Sequence, residues 1–263
     1  MSELSNEELS QKLTQLSKWE DNMSQTEKQL EIERLKTVSP LYEQRRDILK
    51  EIPQFWYIVI AENDDFVEYI SLEDMKYLEY IDDIYVYYDT TNEDKKFSIT
   101  FSFAENELIP KQTVTKQFKT TLVDGEERIT SEPVDILWPH ELEEINPQSI
   151  KQKNKGKQLS SQEKKNYRLG MRSFFSWFQW TGEKPGKEFR NGEDLTNFIV
   201  DDLYINALKY YIIALSNEPE DDYDEQEEDS SEGEELDLSE ESDGDDRKKR
   251  SGEDLERDVK KLK

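Results

Sequence analysis

LSNEELSQKLTQLSKWEDNMSQTEKQLEIERLKTVSPLYEQRRDILKEI, residues 4–52, is an almost unbroken run of helix-forming residues carrying an apolar stripe. Leu9, Leu16, Met23 and Leu30 recur every seven residues, and Leu13, Trp19, Leu35, Val38 and Leu41 widen the stripe where the heptad drifts. At 1.5 Å per residue the helix is on the order of 70 Å long, more than the breadth of an ordinary domain, so no single core covers it. The stripe therefore reads as a coiled-coil seam between two copies of the chain, with Leu9, Leu13, Leu16, Met23, Leu30, Leu35 and Val38 as the dimerisation residues. The alternative is a helix folded back on its own body. That needs a turn, and no Asn-Gly, Asp-Gly or Gly-Pro pair occurs before residue 53. Pro40 removes a backbone donor and is expected to bend the helix. Beyond it Leu41, Tyr42, Ile48, Leu49 and Ile52 continue the stripe toward the chain's own domain.

Charge narrows the function classes. The formal charge is −27, and residues 218–246 hold 18 acidic residues and no basic one, leaving 44 acidic against 35 basic residues elsewhere. Such a chain repels phosphate backbones and anionic lipid and attracts polycations, so sequence-specific nucleic acid binding and membrane binding are disfavoured. The absence of cysteine excludes disulfides and thiolate metal sites. Residues 1–30 contain no apolar signal core, and no run approaches the roughly 18 apolar residues that span a bilayer, so a soluble, unexported protein is expected. Aromatic residues make up 11% of the 263, ample for one large core.

After the long helix, Phe55, Tyr57, Ile58 and Ile60 form a dense core segment, and residues 63–84 space like short helices. The period then changes to two: Phe97, Ile99, Phe101 and Phe103 alternate with Ser98, Thr100 and Ser102, a strand with one wet face. Residues 83–89 and 112–121 read as its neighbours and residues 134–138 as a fourth strand, with Asp124-Gly125 turning the chain between the last two. Residues 140–158 read as a mobile polar loop in which Lys151, Lys153, Lys155 and Lys157 surround Gly156 without an aromatic residue to stack bases. A capping box at Ser160–Glu163 opens a helix carrying Tyr167, Met171, Phe174, Phe175 and Phe178. A closing helix carries Leu203, Ala207, Tyr210, Tyr211 and Ala214. The expected fold is thus α+β: a dimerisation helix at 4–52, then a domain at 53–217 in which helices pack on one face of a four-stranded antiparallel meander. Residues 218–263 are too polar to repay the entropy of ordering and are expected to be a disordered tail. Arg247-Lys248-Lys249-Arg250 within it reads as a nuclear import signal, or as charge balance.

No catalytic constellation is legible. His140 is the only histidine, the glycines match no phosphate-binding pattern, and pairs such as Asp64-Asp65 are expected by frequency in so acidic a chain. The sequence implies no enzyme, no metal and no cofactor.

Several short motifs instead carry a resemblance. Pro40-Leu41-Tyr42, Arg45-Arg46, Ile52-Pro53-Gln54-Phe55-Trp56, Phe174-Phe175-Ser176-Trp177-Phe178, Asp201-Asp202-Leu203-Tyr204, Tyr210-Tyr211 and the acidic tail, in that order, resemble the nucleosome assembly protein family, and within it the SET-like branch. Thr130-Ser131-Glu132-Pro133 and the run from Trp180 to Phe189 are most similar to a fungal member. The resemblance implies a headphone-shaped homodimer whose long helices pair antiparallel and whose two "earmuff" domains offer an acidic underside to core histones. The H3–H4 pair is implied, and the other core pair with it. It also implies a nuclear protein that binds and stimulates a histone H3 lysine acetyltransferase. The residues nominated for histone contact are Asp201 and Asp202, which match the family's acidic step, Glu193 and Asp194, which lie before the closing helix, and Glu218, Glu220, Asp221 and Asp222 at the start of the acidic tail. Carboxylates at Glu193, Asp194, Asp201 and Asp202 also suit helix capping and the helix dipole, which stands beside histone contact as a second reading. The runner-up function is a regulatory scaffold of a chromatin-modifying enzyme without a histone-deposition role of its own. A coiled-coil adaptor for unrelated cargo is a third.

Overall fold

Ser5 and Glu8 form a reciprocal capping box at the head of α1 (Asn6–Leu49), a single helix of 44 residues. The computed structural model describes residues 5–91, 95–123, 126–155 and 157–217. All of them fall in one compact unit, Met1–Pro219. α1 runs through Pro40 as one element, with Ser39 Oγ donating to the Leu35 carbonyl at 2.7 Å just before it. Every residue from 5 to 30 is exposed, including Leu9, Leu13, Leu16, Trp19, Met23 and Leu30, while Leu35 and Val38 are half-buried. Each large aliphatic side chain left in water forgoes roughly 1.5–3 kcal/mol of burial, so this face is stabilised strongly by any partner that covers it.

The far end of α1 is clamped to the domain. The Arg45 guanidinium lies 4.8 Å from the Tyr42 ring centroid and 4.4 Å from that of Tyr204, and Nη1 donates to the Ile205 carbonyl at 3.3 Å. Its Nε and Nη2 and the Tyr204 hydroxyl are buried without a hydrogen-bond partner among the described residues, so the two ring faces supply most of its compensation. One residue on, Arg46 forms a bidentate pair with the buried Asp83, Nε lying 2.9 and 3.1 Å from the two carboxylate oxygens, and stacks over Tyr85.

The sheet is an antiparallel meander in the order β1 (Ile81–Asp89), β2 (Lys96–Phe103), β3 (Gln112–Val123) and β4 (Glu126–Ser131). Register aligns Ile84 with Phe101 and Val114, Val86 with Ile99 and Lys116, and Tyr88 with Phe97 and Phe118, which makes one continuous core face. The opposite face is wet, where the Thr100 and Thr115 hydroxyls meet at 2.8 Å and those of Ser102 and Thr113 at 3.0 Å. Against the core face pack α2 (Phe55–Ala61), α3 (Asp64–Tyr69), α4 (Met75–Leu78) and α7 (Phe174–Trp177), with Phe101 edge-on to Phe174, Trp177 and Phe178.

The fourth strand is not where alternation puts it. Residues 134–138 are irregular; after Pro133, which has no amide hydrogen, Val134 N donates to the Phe178 carbonyl and Leu137 N to Gln112 Oε1, so the chain leaves the ladder while burying Ile136 and Trp138. The true strand, β4, is an edge strand with only Ile129 buried, so its apolar signal is weak. The Asp124-Gly125 turn lies outside the described residues, though Val123 pairs directly with Glu126 on either side of it.

The segment at 140–158 is not a loop throughout either. Asn146 caps α5 (Pro147–Asn154) by accepting from Gln148 N at 3.0 Å, and proline at the first helical position has no amide to leave unpaired. The helix expected from Ser160 onward is two. α6 (Ser161–Gly170) ends where Gly170 passes so close to the Ile145 carbonyl that a Cβ would sit 1.8 Å from the oxygen. α7 then restarts under its own cap, Ser173, which together with Phe174 N hydrogen-bonds the buried Asp74 at 2.8 Å each. The closing helix is α9 (Ala207–Asn217); Leu203, expected at its start, instead ends a π turn at Ile199–Leu203 that continues from a separate helix, α8 (Gly192–Phe198), which was not expected from the sequence.

Two buried ionisable groups stitch the layers together. Lys116, in the middle of β3, is fully buried, and its Nζ donates to the carbonyls of Glu132, Phe178 and Trp180 at 2.8–2.9 Å. Burial pulls its pKa down to about 7, with Glu188 opposing. Asp74 is pushed up to about 6 by burial, which its hydrogen bonds from Phe174, Ser173 and Ser71 resist.

Candidate functional site

The four carboxylates nominated in the folded domain do not form one cluster. Glu193, in the first turn of α8, accepts from the Ile129 amide at 2.8 Å and lies 3.8 Å from Arg128, so it fastens α8 to the β4 edge. Asp194 is exposed on the neighbouring side, where it joins Asp65 and Glu68 in raising the pKa of Tyr69 after the larger effect of desolvation.

The π turn splits the adjacent pair. A π turn closes when an amide reaches five residues back, and here Tyr204 N donates to the Ile199 carbonyl at 2.9 Å. Asp202, half-buried, accepts from Asn206 Nδ2 at 2.6 Å and from the Tyr210 hydroxyl at 2.8 Å. It therefore ties the turn to α9. Asp201 points elsewhere: it is exposed, yet partial desolvation raises its pKa, Lys95 opposes this, and Glu127 and Glu31 push it further up. Asp201 thus lies where the flank of α1, the start of β4 and the π turn converge. Glu31 is held ionised there chiefly by Arg34, at 2.8 Å.

Among the described residues the best candidate contact surface is this junction, Asp201 with Glu31 and Glu127, where Arg34 pairs with Glu31 and Lys95 with Glu127 at 2.5 Å and Asp201 is the carboxylate without an ion pair. A second exposed acidic group is Asp65, Glu68 and Asp194. Glu31, Glu127 and Glu68 were not singled out from the sequence, and Asp65 only as half of an acidic pair. Their signal was present only as frequent acids on polar faces, and only the fold brings residues 31, 127 and 201 together. Glu218, Glu220, Asp221, Asp222 and the basic residues Arg247, Lys248, Lys249 and Arg250 lie outside the described residues. Among the described residues, no group of three or more histidine, cysteine or acidic side chains is placed to hold a metal ion, and no helix is long and apolar enough to cross a membrane.

A long helix with an exposed apolar stripe, rooted in an α+β domain with separate acidic surfaces, suits a protein that grips macromolecules. The chain belongs to the nucleosome assembly protein (NAP) family, whose pattern matches residues 49–239. It is 41% identical over 211 residues to vacuolar protein sorting-associated protein 75 of Saccharomyces cerevisiae, covering 76% of each chain. The fold is similar to the crystal structure of the Vps75 histone chaperone, with a TM-score of 0.68 and 38% identity over 79% of this chain and 98% of that one. It is also similar to the crystal structure of Ccp1, with a TM-score of 0.61 and 32% identity over 81% of this chain and all of the other.

Proposed function

We propose that the protein is a non-enzymatic histone chaperone that works as a homodimer and binds core histones, the H3–H4 pair and also the other core pair, during nucleosome assembly. The observation that carries this reading is the family match over residues 49–239, since it spans the whole α+β domain. Histones collapse onto DNA through indiscriminate charge attraction, and a positioned polyanion competing for their basic surfaces keeps association ordered and reversible. The exposed stripe of α1 is read as the dimer seam, through Leu9, Leu13, Leu16, Met23 and Leu30, with Leu35 and Val38 at its inner end. Pairing presents two copies of each acidic surface to one histone assembly and raises their effective concentration.

Within the folded domain Asp201 and Asp194 are the contact residues of choice, and Glu193 and Asp202 support them by holding α8 and α9. Glu218, Glu220, Asp221 and Asp222 extend the acidic surface, and Arg247, Lys248, Lys249 and Arg250 direct nuclear import. The likeness to a fungal member supports a second role, binding and stimulating a histone H3 lysine acetyltransferase. The test is a titration of the purified protein with each core histone pair separately, scored for stoichiometry and for suppression of histone aggregation on DNA. Failure to retain either pair at moderate salt, with acetyltransferase stimulation intact, favours the regulatory scaffold instead.

A further inference from the structure

The chain is acidic as a whole, but not everywhere. Between positions 145 and 190 there are 11 basic residues and three acidic ones, an excess of eight positive charges in a protein of net −27. The fold gathers part of this excess around a cavity of about 220 Å³ bordered by α5, α6 and the loop at 181–189. Trp138, Pro147, Tyr167, Met171 and Phe189 give it an apolar wall, and Lys151, Lys184 and Lys187 stand on its rim. All three lysines are exposed, and none is within 4 Å of a carboxylate among the described residues. Lys151 Nζ lies 5.1 Å from the Tyr167 ring centroid, which holds the charge over the opening.

The rim loop is built rather than loose. Glu188 accepts from the Thr181 amide at 2.5 Å, the Thr181 hydroxyl at 2.7 Å and the Lys184 amide at 2.5 Å. Gly182 and Gly186 take positive φ, +80° and +75°, so the chain turns back sharply and displays Lys184 and Lys187 on one side. Glu188 is the one acidic lining residue, and its oxygens are already engaged by these donors.

We propose that this cavity docks an acidic peptide segment of a partner protein, one bulky apolar side chain entering the pocket while flanking carboxylates meet Lys151, Lys184 and Lys187. Charge complementarity selects the class of partner: a histone tail is repelled here, and an acidic peptide is repelled by the rest of the surface. Double-stranded DNA satisfies the lysines but has no side chain for the apolar wall, and its long polyanionic body meets the protein's own net negative charge. The site is therefore open to a second partner while the acidic surfaces hold a first.

The full-length protein is titrated with a fluorescein-labelled dodecapeptide of Asp and Glu around one central Tyr, and binding is read by fluorescence anisotropy in 0.1 M salt. Saturable binding is expected. The triple variant K151E/K184E/K187E loses about tenfold or more in affinity, and a peptide with Ser in place of Tyr loses several-fold. A control, K111E/K119E/K209E, carries the same charge change on exposed positions away from the cavity and stays close to wild type. The proposal is overturned if the intact protein does not bind the peptide, if the control loses as much as K151E/K184E/K187E, or if Tyr and Ser peptides bind alike. It is equally overturned if a 12-base-pair duplex binds at the cavity more tightly than the peptide. The peptide comparison uses the unmodified protein, so it stands even if the triple variant misfolds.

Discussion

Replacing Asp201 and Asp202 one at a time separates histone contact from architecture at two adjacent positions. Asp202→Ala removes the acceptor of two hydrogen bonds, from Asn206 Nδ2 and the Tyr210 hydroxyl. A bond to an ionised acceptor is worth about 1.5–3 kcal/mol when buried, and partial exposure reduces that, so the two together amount to about 2 kcal/mol. In a folded unit of this size that lowers the melting temperature by about 4–8 °C. Asp201→Ala breaks no side-chain hydrogen bond among the described residues and sets lost attraction to Lys95 against relieved repulsion from Glu127 and Glu31, so its stability stays within about 0.5 kcal/mol of wild type. Binding inverts the order. Asp201→Lys reverses charge at the junction of α1, β4 and the π turn and weakens core-histone affinity by about three- to tenfold at 0.15 M salt, an effect that shrinks at 0.5 M. Glu7→Lys, on the exposed start of α1, makes the same two-unit change and has little effect. Thermal melts by circular dichroism and anisotropy with labelled histones read both quantities. If Asp202→Ala melts like wild type, or Glu7→Lys weakens histones as much as Asp201→Lys, the assignment of roles to the pair is wrong.

Met23→Glu with Leu30→Glu places charge in the exposed stripe of α1 and should give monomers in sedimentation velocity; an unchanged dimer moves the interface elsewhere. Lys116→Met leaves three carbonyls without their shared donor and should cost about 3 kcal/mol in denaturant unfolding at neutral pH. The sign with pH follows from a folded pKa near 7 against an ordinary 10.5. Between those values the unfolded chain holds the extra proton, so the cost of burying the Lys116 charge, which offsets part of what its three hydrogen bonds contribute, is full below pH 7 and shrinks progressively up to pH 10.5. Wild type should therefore gain on Lys116→Met across that window, and a flat difference refutes the burial argument. Asp74 has the opposite slope: its folded pKa near 6 exceeds the ordinary 3.8, so its contribution is largest below pH 4 and is lost as pH rises through 6, a slope that Asp74→Asn should abolish.

What the sequence made legible follows from how much apolar area each element buries. The stripe of α1 and the alternation from Phe97 to Phe103 are long, regular signals, and both elements lie where they point. β4 buries only Ile129, so its pattern is weak, while Val134, Ile136 and Trp138 alternate convincingly and pack without pairing. α5 was masked by its lysines although Asn146-Pro147 is a sound helix start. The break at Gly170 depends on contact with a distant segment, the Ile145 carbonyl, while the π turn is tied to α9 through Asp202, whose partners Asn206 and Tyr210 no periodicity announces. The candidate site was half legible for the same reason: acidity could be counted, but which acid faces solvent and which holds a helix is decided by partners such as Tyr210 and Ile129.

The clamp at the root of α1 also has a mechanical meaning. A rod of 44 residues is about 66 Å long, so a tilt of only 5° at its anchored end moves its tip by about 6 Å. Arg45 between two tyrosine rings and Arg46 locked onto Asp83 therefore act as the fulcrum of a lever. If two such rods lie alongside one another, their fulcra set the gap between the two domains, and Tyr204→Leu, at a buried position, is expected to change that gap without altering any exposed side chain.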